Sequence, residues 1–313
     1  MAIQAPFPVD PKLTAVAVGY RNQAYIADQV LPRAVVPSRL FKWWEYPIDE
    51  TFSTTDTKVG RTSRPNEIEF RAEDREGSVD DYGLEDPIPQ EDIDIGATMN
   101  YDPRTHATER LTDYIALGRE IRAAKLLFNP ATYPVGNKIQ LATAADRWDD
   151  YENSDPIEDI LTGLDACLVR PNIGVLGQKV WSKLRRHPKI AKAIHGNSGD
   201  EAVATRRAVA DLLELDDIIV GQSRLNTARK GQPAALSRVW GNHASFIYRN
   251  PTFSFRSPDL TFAATAQWGD KVAGSRPDAN IGLRGGERVR MGESVRELVI
   301  AAYAGYFIQD AIS

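Results

Sequence analysis

Two stretches of this chain repeat apolar residues at helical spacing. In the longer, Leu111, Tyr114, Ile115, Gly118, Ile121, Ala124 and Phe128 share one stripe, while Arg104, Glu109, Arg110, Asp113, Arg119, Glu120 and Arg122 take the rest of the surface. Asp102 as an N-cap with Pro103 at the first helical position predicts the start, and Asn129-Pro130 predicts the end. Such a helix is about 39 Å long. Its narrow stripe suits a rod laid along a sheet, a pattern that an ordinary surface helix shares. The second opens by the same capping at Asp155-Pro156 and puts Ile157, Ile160, Leu161, Leu164 and Cys167 on a core face.

Elsewhere the period shortens to that of strands. Phe41, Trp43 and Tyr46 stand at near-alternate positions, a polar tract runs from Ser53 to Ser63, and Ile68 and Phe70 alternate again. Residues 41–95 therefore predict an extended hairpin loop with aromatics at its base and a polar, glycine-containing tip. An isolated hairpin is marginal in water, so this one is expected to lie on another molecule; a mobile surface loop is the alternative. Sixteen Asp or Glu stand against six Lys or Arg here, which implies solvation or pairing with basic patches of a partner. Residues 1–40, with five prolines and a modest helical stretch from Thr14 to Val30, predict an arm that must find its apolar partners elsewhere.

Past Asp155 the elements alternate. A strand Ile173–Leu176, a helix with Val180, Trp181 and Leu184, and a helix after Pro188 lead to a helix Ala202–Leu213. A strand Asp217–Gly221, a polar loop Asn226–Pro233 and a strand Ser237–Tyr248 follow. Together they predict a compact α/β module of about a hundred residues. From Phe253 on the chain is strand-rich, with a charged turn expected at Gly292-Glu293-Ser294 and a last strand Leu298–Phe307. That last strand is expected to return to the sheet beside the long helix.

Charge and chemistry narrow the function classes. A net charge of −5 gives no global basic field for sequence-specific nucleic-acid binding. Basic clusters at Lys183-Leu184-Arg185-Arg186 and Arg206-Arg207 are candidates for weak contacts with phosphates or acidic surfaces. Cys167, alone, excludes a disulfide framework and fits a reducing compartment. No apolar run reaches membrane length and no secretion signal is visible. There is no phosphate-binding glycine loop; Gly282 to Gly286 reads as a turn. The four histidines show no metal-ligand spacing, His106 and His187 reading as surface or capping groups. The acidic run Asp80–Asp86 lacks the oxygen spacing of a calcium loop, and solvation is its simplest explanation. No catalytic, cofactor or metal site is predicted.

Three groups of residues carry a resemblance. Ser154–Ile160 (SDPIEDI), Arg170–Gly177 (RPNIGVLG) and Val180–Pro188 (VWSKLRRHP) come first. Leu212–Gly221 (LLELDDIIVG) and Asn226–Ala228 follow, and Val239–Gly241 precedes Phe246–Pro251 (FIYRNP). In order and spacing they are similar to the major capsid proteins of tailed bacteriophages with the HK97-type fold. The resemblance implies an α+β HK97-like capsid fold with an N-terminal arm (1–40), an extended hairpin loop (41–95), a peripheral domain with a spine helix (96–154), an axial α/β domain (155–252) and return strands of the peripheral domain (253–313). It implies a structural protein of the virion capsid, assembled in the host cytoplasm from pentamers and hexamers of itself into an icosahedral shell around double-stranded DNA. Scaffolding, portal and decoration proteins are the further partners implied, with weak non-specific contact to packaged DNA and no membrane; because no helical scaffolding segment precedes the arm, a separate scaffolding protein, or none, is expected.

Intersubunit contacts are then expected at Phe41, Trp43, Trp44 and Tyr46 at the hairpin base, at Lys58, Gly60 and Arg61 at its tip, and at Asn226, Arg229 and Lys230 in the axial loop. Some members form Lys-to-Asn cross-links, for which Lys58 is the position here, without a recognisable partner asparagine. Three rivals stay open: a nanocompartment shell of the same fold, a metal-dependent hydrolase using the carboxylates of residues 80–86, and a tail or connector component.

Overall fold

Four helices open with proline behind a side chain that caps them. In the computed structural model they are α1 (Pro11–Gly19) capped by Asp10, α4 (Pro103–Leu127) by Asp102, α5 (Pro156–Ala166) by Asp155 and α7 (Pro188–His195) by His187. The structure describes residues 7–45, 54, 56–67, 73–196, 202–229, 231–256 and 259–313. Shorter helices are α2 (Ala27–Val30), α3 (Gln90–Thr98), α6 (Gln178–Leu184) and α8 (Arg206–Leu212). The expected helix Ala202–Leu213 thus starts later, behind the Thr205 cap. None of these helices is long and apolar enough to cross a membrane.

One five-stranded sheet has the order β5 (Lys138–Gln140), β14 (Gly305–Gln309), β10 (Ala244–Ile247), β6 (Ile173–Gly177), β7 (Asp217–Gly221). Its side chains divide with the period of two that a strand imposes. Leu176, Ile218, Val220, Phe246 and Ile308 face one core with α5, α6, α7 and α8. Ile173, Val175, Ile219, Ile247 and Phe307 face another with α2 and the end of α4. Buried on both faces, such strands must be apolar throughout.

That requirement explains where the last strand goes. Tyr306-Phe307-Ile308 has apolar side chains on both faces, and β14 pairs with β10 and β5 in this sheet instead of returning to the sheet beside the long helix. The expected strand Leu298–Phe307 is broken at residues 300–304, and Ser237–Tyr248 divides into β9 (Leu236–Arg238) and β10.

The second five-stranded sheet is built on β13 (Gly286–Val299), which pairs with β4 (Asp80–Pro89), β11 (Ala263–Gln267) and β12 (Val272–Asp278); β1 (Arg33–Val35) runs parallel to β11. β13 passes without a break through Gly292-Glu293-Ser294, the expected charged turn, because Glu293 is buried against Arg33 at 2.9 Å. α4 lies along this sheet, with Ala107, Leu111 and Ile115 packed on Val289 and Met291. Two-stranded pairs complete the molecule: β2 (Leu40–Glu45) with β3 (Glu73–Ser78), and β8 (Arg224–Asn226) with β9. The hairpin therefore ends near residue 78, and the rest of the expected 41–95 segment belongs to the second sheet and α3.

Candidate assembly surfaces

The base of the hairpin is anchored within the chain. Phe41 is 5% exposed, with its ring centroid 5.6 Å from Trp43 and 5.2 Å from Phe255, above Val36, Val79 and Ala266. As an expected intersubunit contact it is placed in the chain's own core, while Trp43 is half-buried. Trp44 sits in β2, and Tyr46, Ile68 and Phe70 lie outside the described residues. Beyond this base Lys58, Gly60 and Arg61 are exposed, as is every described residue from Asp56 to Glu67. The tip has only local order: the Lys58 amide donates to Asp56 at 2.9 Å and the Asn66 amide nitrogen to the Asp56 carbonyl at 2.8 Å.

The β8–β9 ribbon is the second projecting element. Asn226 closes it, its Oδ1 accepting from the amides of Ala228 (3.1 Å) and Ala235 (3.0 Å). Asn226 and Arg229 are exposed, and Lys230 is outside the described residues. A signal missed in the sequence lies here: residues 218–258 contain no Asp or Glu and six Arg or Lys. The ribbon is thus uniformly basic.

Behind the ribbon stands a junction that patterning on α4 concealed. Arg119 and Glu120, expected on the helix surface, are buried, and Tyr114, expected on its apolar stripe, is exposed. Glu120 accepts from the amides of Ile26 (3.0 Å) and Ala27 (2.8 Å) at the start of α2, from Trp240 Nε1 (2.6 Å) and from Ser223 Oγ (3.2 Å). One carboxylate thereby ties the N-terminal segment, the long helix and the ribbon's base. Burial pushes its carboxyl above the usual range, with the Trp240, Ile26, Ala27 and Ser223 donors opposing.

Arg119 faces the other way, donating to Asp28 and to Thr265 Oγ1 (2.9 Å), with Glu297 3.7 Å away. Arg122 grips Glu297 with two 3.0 Å bonds. Asp28 also accepts from Arg33 at 2.7 Å. Burial opposes its ionisation, but Arg119 and Arg33 outweigh burial and hold its carboxyl down at about 2.

Three carboxylates of the acidic run Asp80–Asp86 are paired within the chain, although Asp80 and Asp81 stay open to solvent. Across β4 and β13, Glu85 meets Arg290 at 2.6 Å, Asp81 meets Ser294 at 2.5 Å and Asp80 meets Arg296 at 3.2 Å. Asp80 and Glu85 thus meet arginines of their own chain, as Asp81 also meets Arg39 at 2.7 Å, and among the described residues no group of three or more His, Cys, Asp and Glu could hold a metal ion. Cys167 caps α5 with its thiol on the Gly163 carbonyl at 3.4 Å, and burial pushes that thiol up to about 11, as expected of a core residue.

Comparison with known proteins bears on these surfaces. No protein-family model matches the chain. It is 52% identical to the major capsid protein of Pseudomonas phage JBD67 over 309 residues, 99% of both chains. Among solved structures it is similar to a phage-related protein from Bordetella bronchiseptica, with a TM-score of 0.72, 25% identity and 98% of both chains covered. The holo-SrpI encapsulin complex from Synechococcus elongatus shares the fold at a TM-score of 0.53 and 9% identity, over 99% of this chain and 92% of that one.

Proposed function

This chain belongs to the phage major capsid proteins, and from that premise we propose that its copies close into pentamers and hexamers of an icosahedral shell around double-stranded DNA. Function then resides in contacts, not in a reaction. The observation that carries this reading is the hairpin, fixed at its base by Phe41, Trp43 and Phe255 and exposed along every described residue from Asp56 to Glu67. A segment anchored so firmly and covered so little is suited to lie on the next subunit, and head-to-tail contacts of that kind close into rings.

In this reading the arm, the hairpin and the sheet along α4 form the periphery of the capsomer, and the α/β sheet with its ribbon forms the axial part. Trp43, Trp44, Lys58, Gly60 and Arg61 meet one neighbour; Asn226, Arg229 and Lys230 meet another near the axis. The basic ribbon also supplies weak, salt-dependent contacts to packaged DNA. Scaffolding, portal and decoration proteins complete the partners. The encapsulin alternative shares the fold, but full-length identity to a phage capsid protein favours the genome as cargo.

Light scattering after size exclusion over a range of concentrations, with negative-stain microscopy of the same fractions, tests the reading. Rings of five or six subunits, or closed shells, are expected. A monomer at every concentration, with purified scaffolding protein present, overturns it. Deleting residues 54–63 is expected to abolish closure; unchanged shells would remove the hairpin from the mechanism.

A further inference from the structure

We propose that the outer end of the second sheet is a further self-assembly surface, on which Leu283 of one copy seats in an apolar groove of another copy between α3 and the start of α4. The proposal rests on the capsid reading above and names a contact apart from the hairpin and the ribbon.

The knob is a feature of the turn joining β12 to β13. Gly282 and Gly285 have φ of 59° and 73°, left-handed values that suit glycine and fix the turn. Leu283 between them is 99% exposed, so it does not occupy any groove of its own copy.

The groove is equally fixed. It holds about 390 Å³, with Ile88, Ile95, Met99, Tyr101 and Pro103 in its walls. Its corner is tight: a Cβ on Gly96 would stand 2.7 Å from the Tyr101 carbonyl oxygen, and Asn100 takes a φ of 53°. The corner therefore holds Met99 (74% exposed), Ile95 (53%) and Tyr101 (49%) outward as one patch, where scattered apolar residues would need no explanation.

Charge selects the occupant. Arg284, beside the knob, reaches only an exposed partner, Glu91, at 3.9 Å, a pair worth little in water. Asp86 and Asp92 line the groove and have no ion-pair partner among the described residues. A second copy entering with Leu283 brings Arg284 to those carboxylates. Knob and groove also share one end of the molecule, since the Gln90 amide at the start of α3 donates to the Gly285 carbonyl at 3.0 Å. Because knob and groove are different patches, the contact can repeat head to tail from copy to copy or be made reciprocally by two copies.

Cross-linking between two populations of the full-length chain tests this, in a C167S background that removes the native thiol. One population carries L283C, the other M99C, and both are assembled together and oxidised mildly. A disulfide-linked dimer in mixed shells, absent from shells of either population alone, is the expected result. Normal shells with no dimer overturn the contact while the capsid reading stands; wild-type protein that forms no shells with purified scaffolding protein present overturns both. L283C dimers in its own shells would show a two-fold contact of knob on knob, and M99C capture by V59C chains would show the hairpin tip as occupant; either overturns the proposal. L283D, at a position without packing to lose, is expected to melt like the parent and to raise the concentration needed for shell formation on the order of tenfold.

Discussion

The two five-stranded sheets are held together by different physics. The sheet of β5, β14, β10, β6 and β7 is apolar on both faces and covered by helices on both. The sheet of β13 and its neighbours is apolar where α1 and α4 cover it and where Phe41 and Phe253 pack at its β1–β11 end, and between β4, β13 and β12 it carries paired charges: Arg290 with Glu85, Arg296 with Asp80, Arg288 with Asp278. Dispersion and burial have no preferred pairing and punish any void. Ion pairs specify register and respond to pH and salt. A subunit built this way has one part fixed by packing and one whose register is fixed by charge. The sharpest break of the comparison is Phe246→Ala, which removes a fully buried ring between β6 and β14. It is expected to cost about 3–5 kcal/mol, read as a lower melting temperature at every salt concentration.

Glu120 joins the two physics, and Glu120→Ala is the next largest effect. It leaves the Ile26 and Ala27 amides, Trp240 Nε1 and Ser223 Oγ without their acceptor. Unsatisfied buried donors cost about 1–3 kcal/mol each, reduced where water enters, so a total near 3 kcal/mol is expected. Hydrogen exchange should accelerate at Ile26 and Ala27 before it does in β6. Loss of protection in β6 alone would mean that Glu120 does not tie the N-terminal segment to the body.

Much of this was legible in the sequence where a local signal acts alone. Asp102-Pro103 and Asp155-Pro156 mark helix starts because a cap and a proline act within one turn. The apolar runs of β6 and β7 fit a sheet covered on both faces. What was missed depends on partners distant in sequence. Glu293 reads as a turn residue until Arg33 is brought to it, and the charges of residues 80–86 look solvated until β13 lies beside them. Arg119 did leave a trace: it interrupts the four-residue series Leu111, Ile115, Ala123, Leu127, where a charge must be buried and paired. For the contact residues, Phe41 shows the limit, since an aromatic at a hairpin base serves its own core as well as it would serve a neighbour.

Acid sharpens the comparison against intuition, because histidines on the apolar side respond to it: burial lowers both His187 and His243. His187 is buried at the N-cap of α7, with Ser154 Oγ at 3.1 Å from Nε2 and the Lys189 amide on Nδ1. Burial, then Lys189, push its imidazole down to about 4, with Asp155 opposing. The unfolded chain, at about 6.5, takes up its proton before the folded chain does. The stability His187 contributes is therefore full above pH 6.5 and is lost as pH falls toward 4. Asp28, held near 2, loses its contribution only between about pH 4 and 2. His187→Asn should flatten the slope of stability against pH between 6.5 and 4 and leave the lower slope in place. An unchanged upper slope would assign it to another group.

The smallest expected effect tests whether the charged sheet is tunable at all. Arg290 donates to Glu85 at 2.6 Å, and both side chains are partly open to solvent. A pair of this kind is worth about 1 kcal/mol or less because water screens it and two long side chains lose freedom. Arg290 also lies over the Phe7 ring, 4.4 Å from its centroid, which adds packing that salt does not screen. Arg290→Met keeps much of that packing and removes the charge. If the ladder contributes through charge, the variant should lose stability at low ionic strength and converge on the parent as salt rises past a few tenths molar, where the Debye length falls below about 6 Å. A deficit that persists in high salt would mean that the arginine holds Phe7 by shape, and that this edge of the sheet is as insensitive to its medium as the apolar one.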